Sequence, residues 1–188
     1  MRHSLRYLTA VTAIVTCTLA TGAAVQTTKG TRSPYPPIAV VVDNASPIYG
    51  ITIPAGYRDW RVISVAHEAG NNNDLRAILG NDIAFQASRE GKLPFPDGAI
   101  IARLAWTYVP SEENNKVLGR TQSFVAGSPI NLQLSVKDSI KYAATGGWGF
   151  AQFKDGKAAG EAVHKTCQPC HALAKTRDFV YTSYSPSP

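Results

Sequence analysis

One motif near the C-terminus, Cys167-Gln168-Pro169-Cys170-His171, constrains this chain more than any other feature. On a helix, Cys167, Cys170 and His171 lie at positions i, i+3 and i+4, so they share one face. Two thiols can form thioether bonds to the two vinyl groups of a haem, and the adjacent imidazole can bind its iron. The C-x-x-C-H pattern therefore predicts one c-type haem, attached through Cys167 and Cys170, with His171 as the proximal ligand.

Three other interpretations of the cysteine pair stay open. A zinc site needs four ligands, and outside the motif the chain beyond residue 24 offers His67, His164 and carboxylates. A thioredoxin-type redox pair opens the first helix of a domain, whereas only 18 residues follow Cys170 here. The third alternative is an incidental disulfide between the two thiols. We favour the haem motif over all three.

The N-terminal segment is typical of a secretory signal peptide, which we place at residues 1–24. Arg2 and Arg6 precede an apolar stretch, and small residues at 21–24 then offer a cleavage site. The apolar stretch is short for a membrane anchor, which needs about 20 apolar residues. We therefore expect a location outside the cytoplasm, most simply a bacterial periplasm. Cleavage would also remove Cys17, leaving only the two cysteines of the motif.

The rest of the chain suits a single domain. Residues 25–50 are polar and rich in proline, which predicts a linker or disordered arm before an ordered haem domain over residues 51–188. Removing Arg2 and Arg6 from the 19 basic residues leaves 17 against 13 acidic ones, a net charge of +4. This mild excess, without a basic stripe interleaved with aromatic residues, argues against nucleic-acid binding.

Much of the basic excess falls in residues 137–177, which hold seven basic and three acidic side chains. Such a surface could dock an acidic redox partner protein by electrostatic attraction. It could equally be an ordinary solvated surface, and this is the interpretation we favour.

The hydrophobic pattern alternates short strands with short helices. Alternating, β-branched segments predict five strands, at residues 60–66, 98–109, 129–136, 148–153 and 179–184. Helical spacing and capping residues predict three helices, at residues 82–90, 137–144 and 160–174. Helices this short cannot build a four-helix bundle. The pattern instead favours an α+β fold, mostly antiparallel β-sheet with a few short helices.

The composition also limits the second axial ligand of the iron. Met1 is the only methionine and would leave with the signal peptide, which excludes the usual His/Met pair. A second histidine, a lysine or an open position are the choices left. His67 follows a predicted strand, whereas His164 is on or near the helix of His171 and is badly placed to reach the opposite haem face. We therefore expect a five-coordinate iron with one open face.

Several short motifs occur in the same order as in a known family. They are Tyr57-Arg58-Asp59-Trp60, Phe95-Pro96-Asp97-Gly98, Val136-Lys137-Asp138-Ser139, Trp148-Gly149-Phe150 and Asp178-Phe179-Val180-Tyr181-Thr182. With the C-x-x-C-H motif, they make residues 53–184 resemble cytochrome P-460. The resemblance implies a cytochrome P-460-like, mostly antiparallel β fold, often a homodimer, with one haem c site near the C-terminus.

The resemblance also implies a chemistry. Cytochromes P-460 include periplasmic proteins that oxidise hydroxylamine, and the related c′-beta cytochromes bind nitric oxide. In the hydroxylamine oxidisers a lysine is cross-linked to the haem rim, but the fifth residue after Gly98 here is Arg103, and Lys92 lies before the turn. Arginine is always protonated and a very poor nucleophile, so we expect no cross-link. Arg103 is instead a candidate donor to a haem propionate or a bound ligand, with a plain ion pair as the alternative.

Two functions follow from these observations. The first is a periplasmic haem protein with an open axial site that binds or redox-converts small nitrogen oxides, namely nitric oxide or hydroxylamine. The family implies apolar or aromatic groups near that open face, and Phe85 and Phe124 are the candidates. The second function is a six-coordinate electron-transfer cytochrome, with His67 or a lysine as its second ligand. We favour the open site.

Overall fold

The computed structural model describes residues 44–185. The predicted signal peptide and most of the predicted linker lie outside the described residues. Within residues 44–185, no helix combines the length and the apolar composition that crossing a membrane requires.

The ordered chain begins earlier than the sequence predicted. The predicted disordered arm includes residues 44–50, yet Ser46 and Tyr49 are buried. The backbone N–H of Ser46 donates to the carbonyl of Ile51 at 2.7 Å. The Asn44 amide donates to the carbonyl of Gly156 at 2.7 Å. The predicted start of the ordered domain at residue 51 is therefore too late. The ring of Tyr49 belongs to the core, but its polar sequence neighbours gave no sign of this.

Six antiparallel strands of the described chain form one sheet in the order β1-β2-β3-β4-β5-β6, so each strand pairs with its sequence neighbour. The strands are β1 (Arg61–Glu68), β2 (Asp74–Gly80), β3 (Ile100–Pro110), β4 (Phe124–Lys137), β5 (Trp148–Lys154) and β6 (Lys157–Ala158). The α-helices are α1 (Asp82–Glu90), α2 (Glu112–Leu118) and α3 (Glu161–Ala172). This architecture confirms the predicted α+β class with a mostly antiparallel sheet.

Most predicted elements have counterparts in the structure, with two exceptions. The predicted helix at residues 137–144 is wrong, because Lys137 ends β4 and only a short 3-10 helix (Ala143–Thr145) follows. The predicted strand at residues 179–184 is also wrong, because Asp178 and Phe179 turn the backbone into the left-handed region. Three observed elements, β2, α2 and β6, were not predicted.

Helices α1 and α3 pack on different strands of the sheet. Helix α1 contacts β1, β2 and β3, whereas α3 contacts β5. Helix α1 begins where the Asn81 side chain accepts a hydrogen bond from the Ala84 N–H at 2.9 Å. It ends at Gly91, whose φ of 62° is left-handed, as is common at helix C-termini. The largest fully buried side chains of the described core are Trp148, Phe153, Ile63, Leu134 and His164.

Candidate functional site

A cavity of about 690 Å³ lies between α3, the C-terminal segment and one face of the sheet. Cofactor pockets commonly enclose about 300–1,000 Å³, so its size suits a bound cofactor. The structure places Cys167, Cys170 and His171 together on this cavity, on the helix that the motif predicted. Strands β2 to β5 supply the facing wall.

His171 is oriented by the chain that follows α3. Its Nδ1–H donates to the backbone carbonyl of Phe179 at 2.7 Å, which leaves Nε2 free to bind a metal. A hydrogen bond of this kind fixes the tautomer of a ligating histidine and makes the ring more basic. Burial lowers the pKa of His171, and the bond to Phe179 opposes that shift. The ring is therefore held as the neutral imidazole that binds metals.

The two cysteines are free thiols, so the structure contains no disulfide between them. Cys167 is half-buried, and burial raises the pKa of its thiol, with a further contribution from Cys170. Cys170 is exposed at the rim of the cavity. Within residues 44–185, no cluster of three or more His, Cys, Asp or Glu side chains is arranged to hold a metal ion. Two free thiols and a neutral imidazole on one cavity fit a covalently attached haem.

The carbonyl that holds His171 belongs to an unusual backbone corner. Asp178 and Phe179 have φ values of 52° and 63°. Asp tolerates the left-handed region, but a bulky residue such as Phe rarely adopts it. The Phe179 ring packs against Gly146, where an added Cβ would overlap the ring. This packing and the turn of Asp178 together aim the Phe179 carbonyl at the histidine.

We expect Gly146→Ala to destabilise the protein more than Gly156→Ala. Both glycines have a φ of 75°, so an alanine meets similar backbone strain at either position. Only at Gly146 does the new Cβ meet a neighbour, the Phe179 ring. Overpacking of this kind typically costs about 1–3 kcal/mol, and urea denaturation should show an extra loss of that size. Equal losses for the two variants would contradict the close packing of Phe179 on Gly146.

Arg103 lines the facing wall of the cavity, in the middle of β3. Its guanidinium donates to the Asn131 side chain at 3.1 Å and to the Gln133 side chain at 3.2 Å, and it pairs with the carboxylate of Asp74. Antiparallel pairing sets Arg103 opposite Ile78 on β2 and Gln133 on β4, so their side chains share a face. The structure thus brings Arg103 to the cavity of the C-x-x-C-H motif.

Arg103 belongs to a charged cluster of four residues: Glu68, Asp74, Arg76 and Arg103. Asp74 is only 3% exposed and accepts from Arg76 at 2.8 Å as well as from Arg103. Arg76 also pairs with Glu68 at 2.8 Å. Burial lowers the pKa of Arg103 and nearby Arg76 adds to this, while Asp74 opposes it. Arginine keeps its charge despite such shifts, so the wall presents fixed cations and donors to the cavity.

The two other histidines of the described chain, His67 and His164, are not among the residues that line the cavity. His67 bonds to Asn73 at 3.0 Å and stacks on Tyr108 at 3.9 Å. It pairs with Leu75, whose neighbours Asp74 and Arg76 face the cavity, so His67 projects from the opposite side of the sheet. The proposal of His67 as a second ligand is therefore wrong.

His164 lies in the first turn of α3, on the helix of His171 as the sequence predicted, and it is fully buried rather than at the surface. Its Nε2 accepts from the backbone N–H of Gln152 at 3.1 Å, and its Nδ1 bonds to the carbonyl of Gly160 at 3.0 Å. Because both ring nitrogens are occupied, His164 is a structural link between α3 and β5 rather than a metal ligand.

The aromatic candidates for the open face are also misplaced. Phe124 stacks on Tyr108 at 4.5 Å and is 39% exposed. Phe85 packs edge-on against Tyr184 in the core. Neither lines the cavity, whose apolar lining includes Ile78, Ile101, Ile130, Leu134, Phe150 and Val180. For Phe124 the error has a physical cause, since the face that a strand side chain occupies depends on register, which a single sequence does not reveal. Phe85 lies on α1, which packs on β1, β2 and β3 and supplies no residue to the lining of the cavity.

The comparisons with known proteins identify a family for this chain. The family model described as cytochrome P-460 matches residues 54–182, more than half of the chain. The matched range includes the cysteines and histidine of the motif together with the charged cluster. No curated protein matches the chain.

Proposed function

The chain belongs to the cytochrome P-460 family, and from this premise we propose that it is a haem c protein whose iron keeps one axial face open to small nitrogen oxides. Membership makes it a haem-binding protein of a family related to hydroxylamine oxidation. We infer that Cys167 and Cys170 carry a single haem and that Nε2 of His171 is the proximal ligand. The C-x-x-C-H motif and the shared cavity support this assignment.

The residues that line the cavity support the proposal that one axial face of the iron is open. Among the described residues that line it, His171 is the only histidine, and none is a lysine or a methionine. The facing wall combines apolar side chains with amides and the guanidinium of Arg103. A haem bound here would supply an iron that exchanges electrons and accepts small ligands at an axial position left free by the protein.

The wall residues suit a small acceptor ligand. Nitrogen oxides carry lone pairs that accept hydrogen bonds, and Arg103 has a fork of N–H donors at the cavity. Gln133 donates to Gln152 at 2.8 Å, which holds the amide row beside Arg103 in place. The apolar side chains of Ile78 and Ile101 limit the space for water. These side chains can therefore select and orient a small polar ligand without reacting with it.

Arg103 also bears on which nitrogen oxide is used. Counted from Gly98, Arg103 stands at the position that the resemblance to hydroxylamine oxidisers assigns to their cross-linked lysine. Its guanidinium is committed to Asp74, Asn131 and Gln133. A permanently protonated guanidinium is a poor nucleophile, so we propose a haem without this cross-link. Ligand binding, with nitric oxide as the first candidate, is then favoured over the oxidation of hydroxylamine.

Titration of the ferrous protein with nitric oxide tests the proposal. We expect a saturable change of the Soret band with a one-to-one end point. His67→Ala is the control, and its titration should match that of the unchanged protein, because His67 lies on the other side of the sheet. No spectral change at a large excess of nitric oxide would contradict the open face.

The resemblance and the N-terminal sequence support three further proposals: a periplasmic location, a homodimer and exchange of electrons with a redox partner protein. The basic stretch at residues 137–177 is the candidate contact surface for such a partner, with one correction. Lys137 is buried and paired with Asp178, so it does not contribute to that surface.

A further inference from the structure

A buried ion pair connects the end of the sheet to the C-terminal segment. Lys137, the last residue of β4, is only 6% exposed. Its Nζ lies 2.8 and 3.0 Å from the two carboxylate oxygens of Asp178. The same carboxylate accepts from the backbone N–H of Phe95 at 2.8 Å. Asp178 is therefore held by donors from two separate parts of the fold.

The position of Asp178 determines that of the carbonyl that holds His171. Asp178 directly precedes Phe179, and both residues adopt left-handed backbone conformations. The Phe179 N–H donates to the carbonyl of Ala174 at 3.0 Å, which ties the corner to the end of α3. Lys137 ties the same corner to the sheet. With both sides fixed, the Phe179 carbonyl has little freedom to move away from Nδ1 of His171.

We propose that the Lys137–Asp178 ion pair is a positioning device for the proximal histidine, setting the strength of the His171–iron bond through the Phe179 carbonyl. Neither member of the pair lines the cavity, so each acts through the backbone rather than on a ligand. A buried ion pair seldom adds much net stability, so a role in fixing a geometry accounts for this one better than stability does. Partners that hydrogen-bond a ligating histidine raise its basicity and fix its orientation. The inference rests on the proposed function in one respect, the assignment of His171 to the iron.

Three substitutions separate positioning from direct electrostatics. Lys137→Met removes the cation, and Asp178→Asn removes the anion while keeping a residue type that tolerates the left-handed region. The two variants change the local charge in opposite directions, so a direct Coulomb effect on the iron would have opposite signs. Loss of positioning would act in the same direction in both. Lys165→Met is the control, because Lys165 forms an exposed pair with Glu161 on α3 itself.

Resonance Raman spectroscopy of the ferrous holoprotein measures the iron–histidine stretching frequency. We expect both Lys137→Met and Asp178→Asn to lower this frequency, because a looser Phe179 carbonyl leaves the imidazole less basic. Lys165→Met should leave it unchanged. If an unpaired carboxylate stops Lys137→Met from folding, the double variant with Asp178→Asn carries the same expectation, since neither charge is then left alone.

Solvent exchange of the His171 Nδ1 proton, followed by paramagnetic NMR, gives a second readout that does not depend on an open face. We expect this proton to exchange at least about tenfold faster in both variants, which corresponds to about 1.4 kcal/mol of lost stabilisation. Unchanged frequency and exchange, or frequency shifts of opposite sign, would overturn the positioning role while leaving the proposed function intact. A wild-type protein that lacks both the iron–histidine stretch and a hyperfine-shifted His171 Nδ1 proton would overturn the assignment of His171, and this inference with it. Absence of the stretch alone would contradict the open axial face.

Discussion

The variant in which Cys167 and Cys170 are both replaced by Ala should lose covalent haem attachment entirely. The two thioether bonds have no other source, because the motif contains both cysteines of the described chain. Extraction with acidic acetone after denaturation measures the effect. The haem should stay with the unchanged polypeptide and should leave the double variant.

His171→Ala is the matched control for that experiment. It leaves both thiols in place, so attachment stays possible, while the proximal coordination of the iron is disrupted. Retention of haem by His171→Ala and its loss from the double cysteine variant would separate attachment from ligation. Complete extraction of haem from the unchanged protein would contradict the c-type assignment.

Asp74→Asn should cost about 3 kcal/mol or more of the free energy of unfolding, because removing one partner of a buried ionic group leaves the remaining charges uncompensated. Asp74 is 3% exposed and is the carboxylate that Arg76 and Arg103 share. Without its charge, two guanidinium groups would face each other in a confined space. Urea denaturation of the holoprotein measures the loss.

Asp82→Asn is the corresponding control. The same substitution there breaks the pair between Asp82 and Arg61, whose side chains are 94% and 50% exposed. Water screens such a pair, so its loss should be much smaller than that at Asp74. Similar losses for the two variants would show that the charged cluster does not depend on Asp74.

The part of the site that lies on α3 could be predicted from the sequence because its geometry is local. Cys167, Cys170 and His171 fall within two turns of one helix, so their spacing alone places them on one face. The family resemblance rests on the same local motifs, and the match over residues 54–182 confirms it. The carbonyl that orients His171 was missed, since no pattern in the sequence marks the left-handed conformation of Phe179.

The facing wall could be predicted only in part, because long-range pairing assembles it. Arg103 was found through the family resemblance, but its partner Asp74 lies 29 residues away and Gln133 lies 30 residues away. Strand β2 was overlooked because Asp74 and Arg76 resemble the residues of a solvated loop. In the structure the guanidinium of Arg76 donates hydrogen bonds to the carboxylate of Asp74 beside the cavity. This pairing lets polar residues occupy sheltered positions of a strand.

The roles of His164 and His67 also depend on long-range contacts that the sequence does not reveal. The sequence places His164 on or near the helix of His171, but the hydrogen bonds of both its ring nitrogens, to Gln152 and Gly160, have no sequence signal. His67 is a candidate second ligand in the sequence because the side of the sheet that a strand residue faces depends on register. Register is fixed here by the pairing of β1 with β2, which turns His67 away from the cavity.

The spin state of the resting ferric protein, measured by EPR and absorption spectroscopy, tests the open axial face most directly. An iron bound on one side by His171, with no strong ligand on the other, should be high-spin. We predict a high-spin spectrum that His67→Ala leaves unchanged. A low-spin spectrum of the unchanged protein would show that a second strong ligand occupies the face, and it would favour an electron carrier instead.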